Sequence, residues 1–459
     1  MSYNKYPKYK DSGIAWLGRI PEHWDVRRIK YVFKELDPRS EKGDEDLLSV
    51  SQYTGVTKKS DKVAEGENIS NAKTLEGYKI VEKDDLVINI MLAWNGSLGI
   101  SKYNGIVSPA YCVYRSLIGG EKYFGYLFKT KNAQQEFKKQ STGIIDSRLR
   151  MYTDSFFDIK TVIPPKPEQT AIANFLDYKL KKIDSFIQKK TQLIKLLNEQ
   201  KAAIINQAVT KGVPTNDELL MMNDELKKNN IHNSQFTTHN YKDSGIEWLG
   251  DIPENWEVRK LKHCVNGKLK YGANEPGGDL QENDPRYIRI TDFDKTGKLR
   301  EDTFCSLKSE LAEPYLLKTG DILFARSGGT VGKTFQFKNF EGDACFAGYL
   351  IKAEPNTKII SSDFLFQYTN SGIYEQWKGF IFNKATIENI GADKYNILPV
   401  IVPTMPEQKQ IVRYIETETN KIDKTITTIK KEIDLVEEYK TALIAEAVTG
   451  KIDVRGFEL

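Results

Sequence analysis

The chain has 459 residues, too many for one ordinary domain, and 39% of them are hydrophobic and 28% charged, enough to fill apolar cores. No apolar stretch approaches the roughly 20 residues of a membrane-spanning helix, and the start MSYNKYPKYKDSG lacks the apolar segment of a secretory signal, so a cytoplasmic location is expected. Cys112, Cys264, Cys305 and Cys345 stand far apart and the four histidines keep no ligand spacing, which argues against a metal centre or disulfide framework, while a formal charge of +4 permits nucleic-acid binding without requiring it.

Read in order, the chain is written twice. Tyr9 to Lys30, YKDSGIAWLGRIPEHWDVRRIK, returns as Tyr241 to Lys262, YKDSGIEWLGDIPENWEVRKLK, with sixteen of twenty-two positions identical. A variable stretch follows each copy, over 31–160 and 263–400. Both alternate short β-like runs (Leu86–Leu92, Tyr287–Thr291, Asp321–Arg326) with helical stretches (Gly125–Lys139, Ser362–Tyr374), which predicts α+β domains.

A second repeated block closes each half. Pro167-Glu168-Gln169 returns as Pro406-Glu407-Gln408, and Ala208-Val209-Thr210 as Ala447-Val448-Thr449. Between these points a 4,3,4,3 spacing picks out Leu176, Leu180, Ile183, Ile187, Ile194, Leu197 and Ile204 in the first block. In the second it picks out Ile415, Ile422, Ile426, Ile429, Ile433, Val436 and Leu443. Such a stripe predicts two long helices that seek a helical partner, each entered at prolines and left at Gly212 or Gly450. A duplicated chain can carry a pseudo-two-fold axis, and if that axis lies across the helices they run antiparallel as a coiled coil. Leu219 to Asn240, polar and without periodicity, reads as a connector.

Catalytic motifs are missing. Ser327 to Thr334, SGGTVGKT, nearly matches a phosphate-binding loop, but its first glycine is a serine and FQFKNFEGD after it does not read as a helix, so no helix N-terminus backs a phosphate. The first half offers a looser counterpart after its strand, Asn95 to Gly99. Both read as glycine-rich turns that present polar groups.

The openings SGIAWLGRIPEHW and SGIEWLGDIPENW, the PEQ that starts each long helix, the endings QAVTKG and EAVTGKID, and the internal runs VSPAYCVYR, YIRITDFD, ILFARSGGTVGKT and CFAGYLIK together resemble the specificity subunits of type I restriction–modification enzymes. The resemblance spans essentially the whole chain and lies in the order of motifs, twice over. It implies an α+β fold with two target-recognition domains in a pseudo-two-fold duplicated chain, separated by two long antiparallel coiled-coil helices. The expected divisions are a first recognition domain over 1–166, a long helix over 167–212, a connector over 213–240, a second recognition domain over 241–405, a long helix over 406–450 and a tail over 451–459.

By the same resemblance the chain is a non-catalytic subunit that reads a bipartite site in double-stranded DNA. It docks two methyltransferase subunits, and motor–nuclease restriction subunits join the complex. S-adenosylmethionine, ATP and magnesium belong to those partners, with no cofactor, metal or membrane contact in this chain. Candidate DNA-contacting residues, polar and in or beside turns, are Asn95, Ser97, Lys102, Arg148 and Arg150 in the first domain. In the second they are Arg326, Ser327, Thr330, Lys333 and Lys384. The residues also leave open a coiled-coil scaffold with two protein-binding heads, which would show no salt-dependent DNA affinity, and a P-loop enzyme, which would hydrolyse ATP.

Overall fold

The computed structural model describes residues 3–62, 72, 74–214, 240–279, 281, 283–294, 297, 299–382 and 389–457. Most of the connector and Lys384 lie outside the described residues. The chain forms two compact units: one is built of two segments, Met1–Thr191 and Lys430–Leu459, and the other of the single segment Gln192–Ile429. The helices Lys166–Lys211 and Met405–Val448 therefore each contribute a segment to both units. Among the described residues no helix is long and apolar enough to cross a membrane.

In the first unit the central sheet has four antiparallel strands in the order Phe33–Leu36, Tyr111–Ser116, Leu86–Asn89, Leu98–Ile100. The second unit repeats this order with Lys270–Tyr271, Leu350–Ala353, Ile322–Ala325 and Thr334–Gln336. All four residues of Leu86–Asn89 and of Ile322–Ala325 are buried, as expected of strands covered on both faces. The units part company beside the sheet. A pair of strands there, Lys79–Val81 with Gly105–Val107, is antiparallel, whereas Arg286–Ile288 with Ala344–Phe346 is parallel.

Two sequence expectations are corrected in detail. The helix expected over Gly125–Lys139 is two helices, Glu121–Phe128 and Lys131–Gln140, because Thr130 caps the second by accepting a hydrogen bond from the Ala133 amide. The helix expected over Ser362–Tyr374 is likewise two, Ser362–Tyr368 and Gly372–Phe382. Apolar periodicity alone does not register a cap that interrupts it.

The repeated opening and closing blocks meet in each unit. Glu168, in the first turn of its long helix, is buried and accepts hydrogen bonds from Trp24 Nε1 at 2.9 Å and Tyr6 Oη at 3.0 Å, with His23 Nε2 at 2.6 Å. Glu407 does the same work in the second unit, accepting from Trp256 Nε1 and Asn255 Nδ2, both at 3.1 Å. It also accepts from the Thr404 amide at 3.0 Å and hydroxyl at 2.6 Å, the glutamate half of a capping box at the helix start. The adjacent glutamines cap backward: Gln169 Nε2 donates to the Pro164 carbonyl and Gln408 Nε2 to that of Pro403. Proline enters the helix, glutamate grips the opening tryptophan and glutamine holds the preceding carbonyl, so each letter of the PEQ repeat has a task.

Each unit is closed by the end of the other long helix. In the first, Tyr123 Oη donates to the Val448 carbonyl at 2.8 Å and Lys451 Nζ to that of Arg19. In the second, Lys211 Nζ donates to the carbonyl of Asp251, the position equivalent to Arg19, and Ile205, Ala208 and Val209 join the core.

Helical segments pair within each unit. In the first, Asp184 meets Lys440 at 2.5 Å and Lys190 meets Glu432 at 2.8 Å, so numbers rise along one segment as they fall along the other and the two run antiparallel. In the second, Lys201 meets Asp423 at 2.6 Å. Every one of the fourteen stripe positions is buried or half-buried: Leu176, Leu180, Ile415, Ile422, Ile426, Ile429 and Leu443 fall in the first group. Ile183, Ile187, Ile194, Leu197, Ile204, Ile433 and Val436 fall in the second.

Ile426→Asp places an unpaired carboxylate at a buried position and should cost about 3–5 kcal/mol, whereas half-buried Ile187→Asp should cost about 1–2 kcal/mol. Denaturant melts of the two variants compare these directly, and equal losses would contradict the burial difference. A second expectation concerns Glu407. Burial raises its carboxyl, but hydrogen bonds from Thr404, Trp256 and Asn255 outweigh this and hold it below the ordinary glutamate value of 4.5. The stability it contributes is complete above that value and is lost as pH falls through the lowered folded one. Glu407→Gln should therefore cost about 1–3 kcal/mol at neutral pH and flatten the acid limb of stability against pH.

Candidate nucleic-acid interface

The strand Ile322–Ala325 starts beside a buried acid, Asp321, whose carboxyl is pushed up by burial and drawn back by Lys352 at 3.3 Å. It ends at Arg326, and here the backbone is held on both sides. The Arg326 amide donates to the Tyr349 carbonyl at 3.0 Å, and its own carbonyl accepts from the Ile390 amide at 2.9 Å. The chain then turns through Ser327 to Gly332 and returns: the Gly332 amide donates to the Ala325 carbonyl at 2.8 Å. Two buried tyrosines brace the turn from beneath, Tyr395 Oη donating to the Ala325 carbonyl at 3.2 Å and Tyr374 Oη to that of Gly332 at 2.7 Å. Thr334–Gln336 after the turn is a strand, so no helix N-terminus faces the glycines and the phosphate-loop likeness has no structural counterpart.

On this frame the Arg326 guanidinium lies over the Tyr271 ring, 4.9 Å from its centroid. Its Nε is buried without a hydrogen-bond partner, as is the Thr330 hydroxyl. Ser327 is half-buried and bridges to Asn389, and Lys333 is exposed. Tyr271 and Tyr349 are 43% and 63% exposed, so two aromatic rings stand at this end of the sheet with the arginine. Composition and turn chemistry do not single out either tyrosine. Strand register does, since Tyr271 pairs with Ile351 and Ala325 with Leu350.

The first unit has the same frame at the same place. Asn89 pairs with Tyr111, and the Ile90 carbonyl accepts from the Met151 amide at 2.9 Å, as Arg326 accepts from Ile390. Register then equates Tyr271, Arg326 and Tyr349 with Asp37, Ile90 and Ala110. Asn95 and Ser97 lie in the turn beyond: Asn95 Oδ1 accepts from the Ser97 amide at 3.2 Å and hydroxyl at 2.9 Å, and Ser97 is buried. These two shape the turn. Arg150 is half-buried with Nη1 donating to the Leu149 carbonyl, while Arg148 is exposed beside Ile144 and Ile145 at a loop tip.

Lys102 is exposed and lines an open cleft of about 840 Å³ with Lys122, Lys129 and Lys181. Asp177 neutralises Lys122 at 2.7 Å, and burial lowers the Lys129 pKa. The structure thus gathers Arg326, Ser327, Thr330 and Lys333 into one turn but does not gather the five residues of the first unit. No group of acidic, histidine or cysteine side chains fit for a metal ion occurs among the described residues.

Residues 253–435 match the family described as the type I restriction modification DNA specificity domain. The chain is 25% identical to the type I restriction enzyme MjaVIII specificity subunit of Methanocaldococcus jannaschii, over 95% of each chain. To the type I restriction enzyme EcoDI specificity subunit of Escherichia coli it is 23% identical, over 79% of this chain and 78% of that one. A solved structure described under the assembly and conformational transition of the type I R-M system shares its fold, with a TM-score of 0.61 at 14% identity, covering 94% of this chain and 98% of that one.

Gly332 tests the rigidity of the turn. Its φ is +78°, and a Cβ there would stand 2.3 Å from Lys378 Cδ. Gly332→Ala should cost about 1–2 kcal/mol through left-handed strain alone and displace the Lys378 stem. Hydrogen exchange should report faster opening at the Ala325 and Lys333 amides, and unchanged protection would mean that the turn is not held as described.

Proposed function

We propose that this chain, which resembles type I restriction–modification specificity subunits over 95% of its length, reads a bipartite double-stranded DNA target for partner subunits that carry out the chemistry. One observation carries the reading: two units with the same sheet order, the same lysine closing contact and the same carbonyl anchor just after the equivalent strand present different residues at the same end of the sheet. A duplicated scaffold with divergent tips suits two readers of two different half-sites. Affinity would come from cations meeting phosphates, and specificity from side chains meeting base edges.

In the first unit Lys102, Arg148 and Arg150 are the contact candidates, while Asn95 and Ser97 shape the turn before the strand Leu98–Ile100. In the second they are Arg326, Ser327, Thr330 and Lys333, with Lys384 as a further cation. The long helices serve assembly. Leu193, Leu196 and Leu435 leave apolar side chains exposed on them, 39%, 50% and 64% respectively, which suits docking of two methyltransferase subunits. Methyl transfer, ATP-driven motion and cleavage, with S-adenosylmethionine, ATP and magnesium, belong to the methyltransferase and motor–nuclease partners.

The test is an exchange. Replacing residues 31–160 with the corresponding segment of a relative, co-expressing the methyltransferase subunit and mapping methylated sites should change one half of the target and leave the other. If both halves change together, or DNA affinity of the complex shows no salt dependence, the reading fails and the protein-binding scaffold takes its place. The purified chain alone should transfer no methyl group.

A further inference from the structure

Resting on the DNA-reading role proposed above, we infer that Arg326, propped on Tyr271, reads a guanine in the half-site of the second unit. The argument begins with what the guanidinium lacks. Among the described residues no hydrogen bond or ion pair engages its side chain, and Nε is buried without a partner. The unpaired Nη1 and Nη2 are not among the buried atoms, so the fork that remains open is a two-donor edge. Leaving such a group unpaired carries a standing cost, and an arginine held this way is poised for an acceptor pair from outside the chain.

Two acceptor pairs in DNA match the fork: O6 and N7 of guanine, and two oxygens of a phosphate. Comparison of the units favours guanine. Phosphates are the same at every site, so a phosphate contact belongs to what the two units share. Exposed Lys30 and Lys262, at equivalent positions of the repeated opening block, fit that part. Arg326 belongs to what they do not share: on an equivalent backbone frame the first unit carries Ile90, with Asp37 in place of Tyr271 and Ala110 in place of Tyr349. A residue that differs between two readers built on one scaffold reads what differs between their targets, the bases.

The frame also supplies rigidity. Backbone hydrogen bonds to Tyr349 and Ile390 fix the Arg326 main chain, and the Tyr271 ring is itself anchored, its hydroxyl accepting from the Ala392 amide at 2.9 Å. A phosphate tolerates a mobile lysine, whereas a two-point contact with a base edge needs a fork held in one plane. The exposed Tyr349 ring flanks the same spot, placed to cover a neighbouring base or sugar.

The experiment uses the chain with its methyltransferase subunit. Methylated sites are mapped for the parent and for Arg326→Lys, which keeps the charge and most of the stem but loses the fork. The expected result is a guanine in the half-site assigned to the second unit by the segment exchange, accepted along with other bases in the variant, while the other half-site stays unchanged. A second measurement needs no variant: on a target duplex with 7-deazaguanine at that position, which removes N7 and keeps O6, the parent complex should bind at least roughly 5-fold more weakly, within the roughly 150-fold limit of one two-point base contact. An unchanged motif in Arg326→Lys, a uniform loss at all sites, or indifference to 7-deazaguanine would overturn the assignment while the split-target reading stands. A parent that methylates no split motif would remove both.

Discussion

Each unit is organised around a carboxylate that accepts an indole N–H: Glu168 from Trp24 and Glu407 from Trp256. Both tryptophans are 1% exposed or less, and a buried indole nitrogen needs an acceptor. The acceptor comes from the first turn of a long helix, where a negative charge is favoured by the helix dipole. One interaction therefore joins three requirements: it satisfies the tryptophan, caps the helix and sets the direction in which the helix leaves the domain. The helix that carries the apolar stripe starts from that junction in each unit. It recurs with different auxiliary donors, Tyr6 and His23 in one unit and Asn255 and Thr404 in the other, so the indole–carboxylate pair is the part the two units have in common.

The closing contacts extend the same logic. In both units a lysine just beyond a helical apolar stripe donates to the carbonyl of the residue that opens the second strand of the entry hairpin, Lys451 to Arg19 and Lys211 to Asp251. The lysines are one position apart in the aligned repeats, because TKG in one copy is TGK in the other. A long flexible side chain absorbs that shift, and the hydrogen bond is kept although the order of residues is not. The chain thus uses each helix twice, its start to complete one unit and its end to complete the other.

The duplication, the helix stripe and the helix limits near Pro167, Gly212, Pro406 and Gly450 were legible because they rest on periodicity and on residues with narrow backbone preferences. The internal helices were less so, since Thr130 interrupts an apolar pattern that otherwise runs on. The work of the PEQ repeat was hidden for another reason: Glu168 lies 144 residues from Trp24, and no local pattern reports a partner at that distance. The candidate site divides in the same way. Arg326 and Thr330 stand out as polar residues in a glycine-rich turn, but Tyr271 is found only through strand register, because it reaches Arg326 from an edge strand 55 positions earlier in the chain.

Ser97 shows why a polar residue in a turn is an ambiguous sign. It stands out in the sequence on the same grounds as Thr330, yet its hydroxyl is spent on Asn95 within the turn, whereas that of Thr330 has no partner among the described residues. The difference follows from the two turns. In the first unit a short helical turn over Ala93–Asn95 brings an amide side chain back to the serine, and Gly96, at φ +85°, lets Gln134 approach where a Cβ would collide. In the second, glycines at 328, 329 and 332 supply no side chain to pair with, and Arg326 Nε and the Thr330 hydroxyl beside them have no partner among the described residues. A turn that consumes its own donors is architecture. One that leaves them unpaired, on a backbone held from both sides, is suited to binding something else, and the two units of this chain place one of each kind after the same strand.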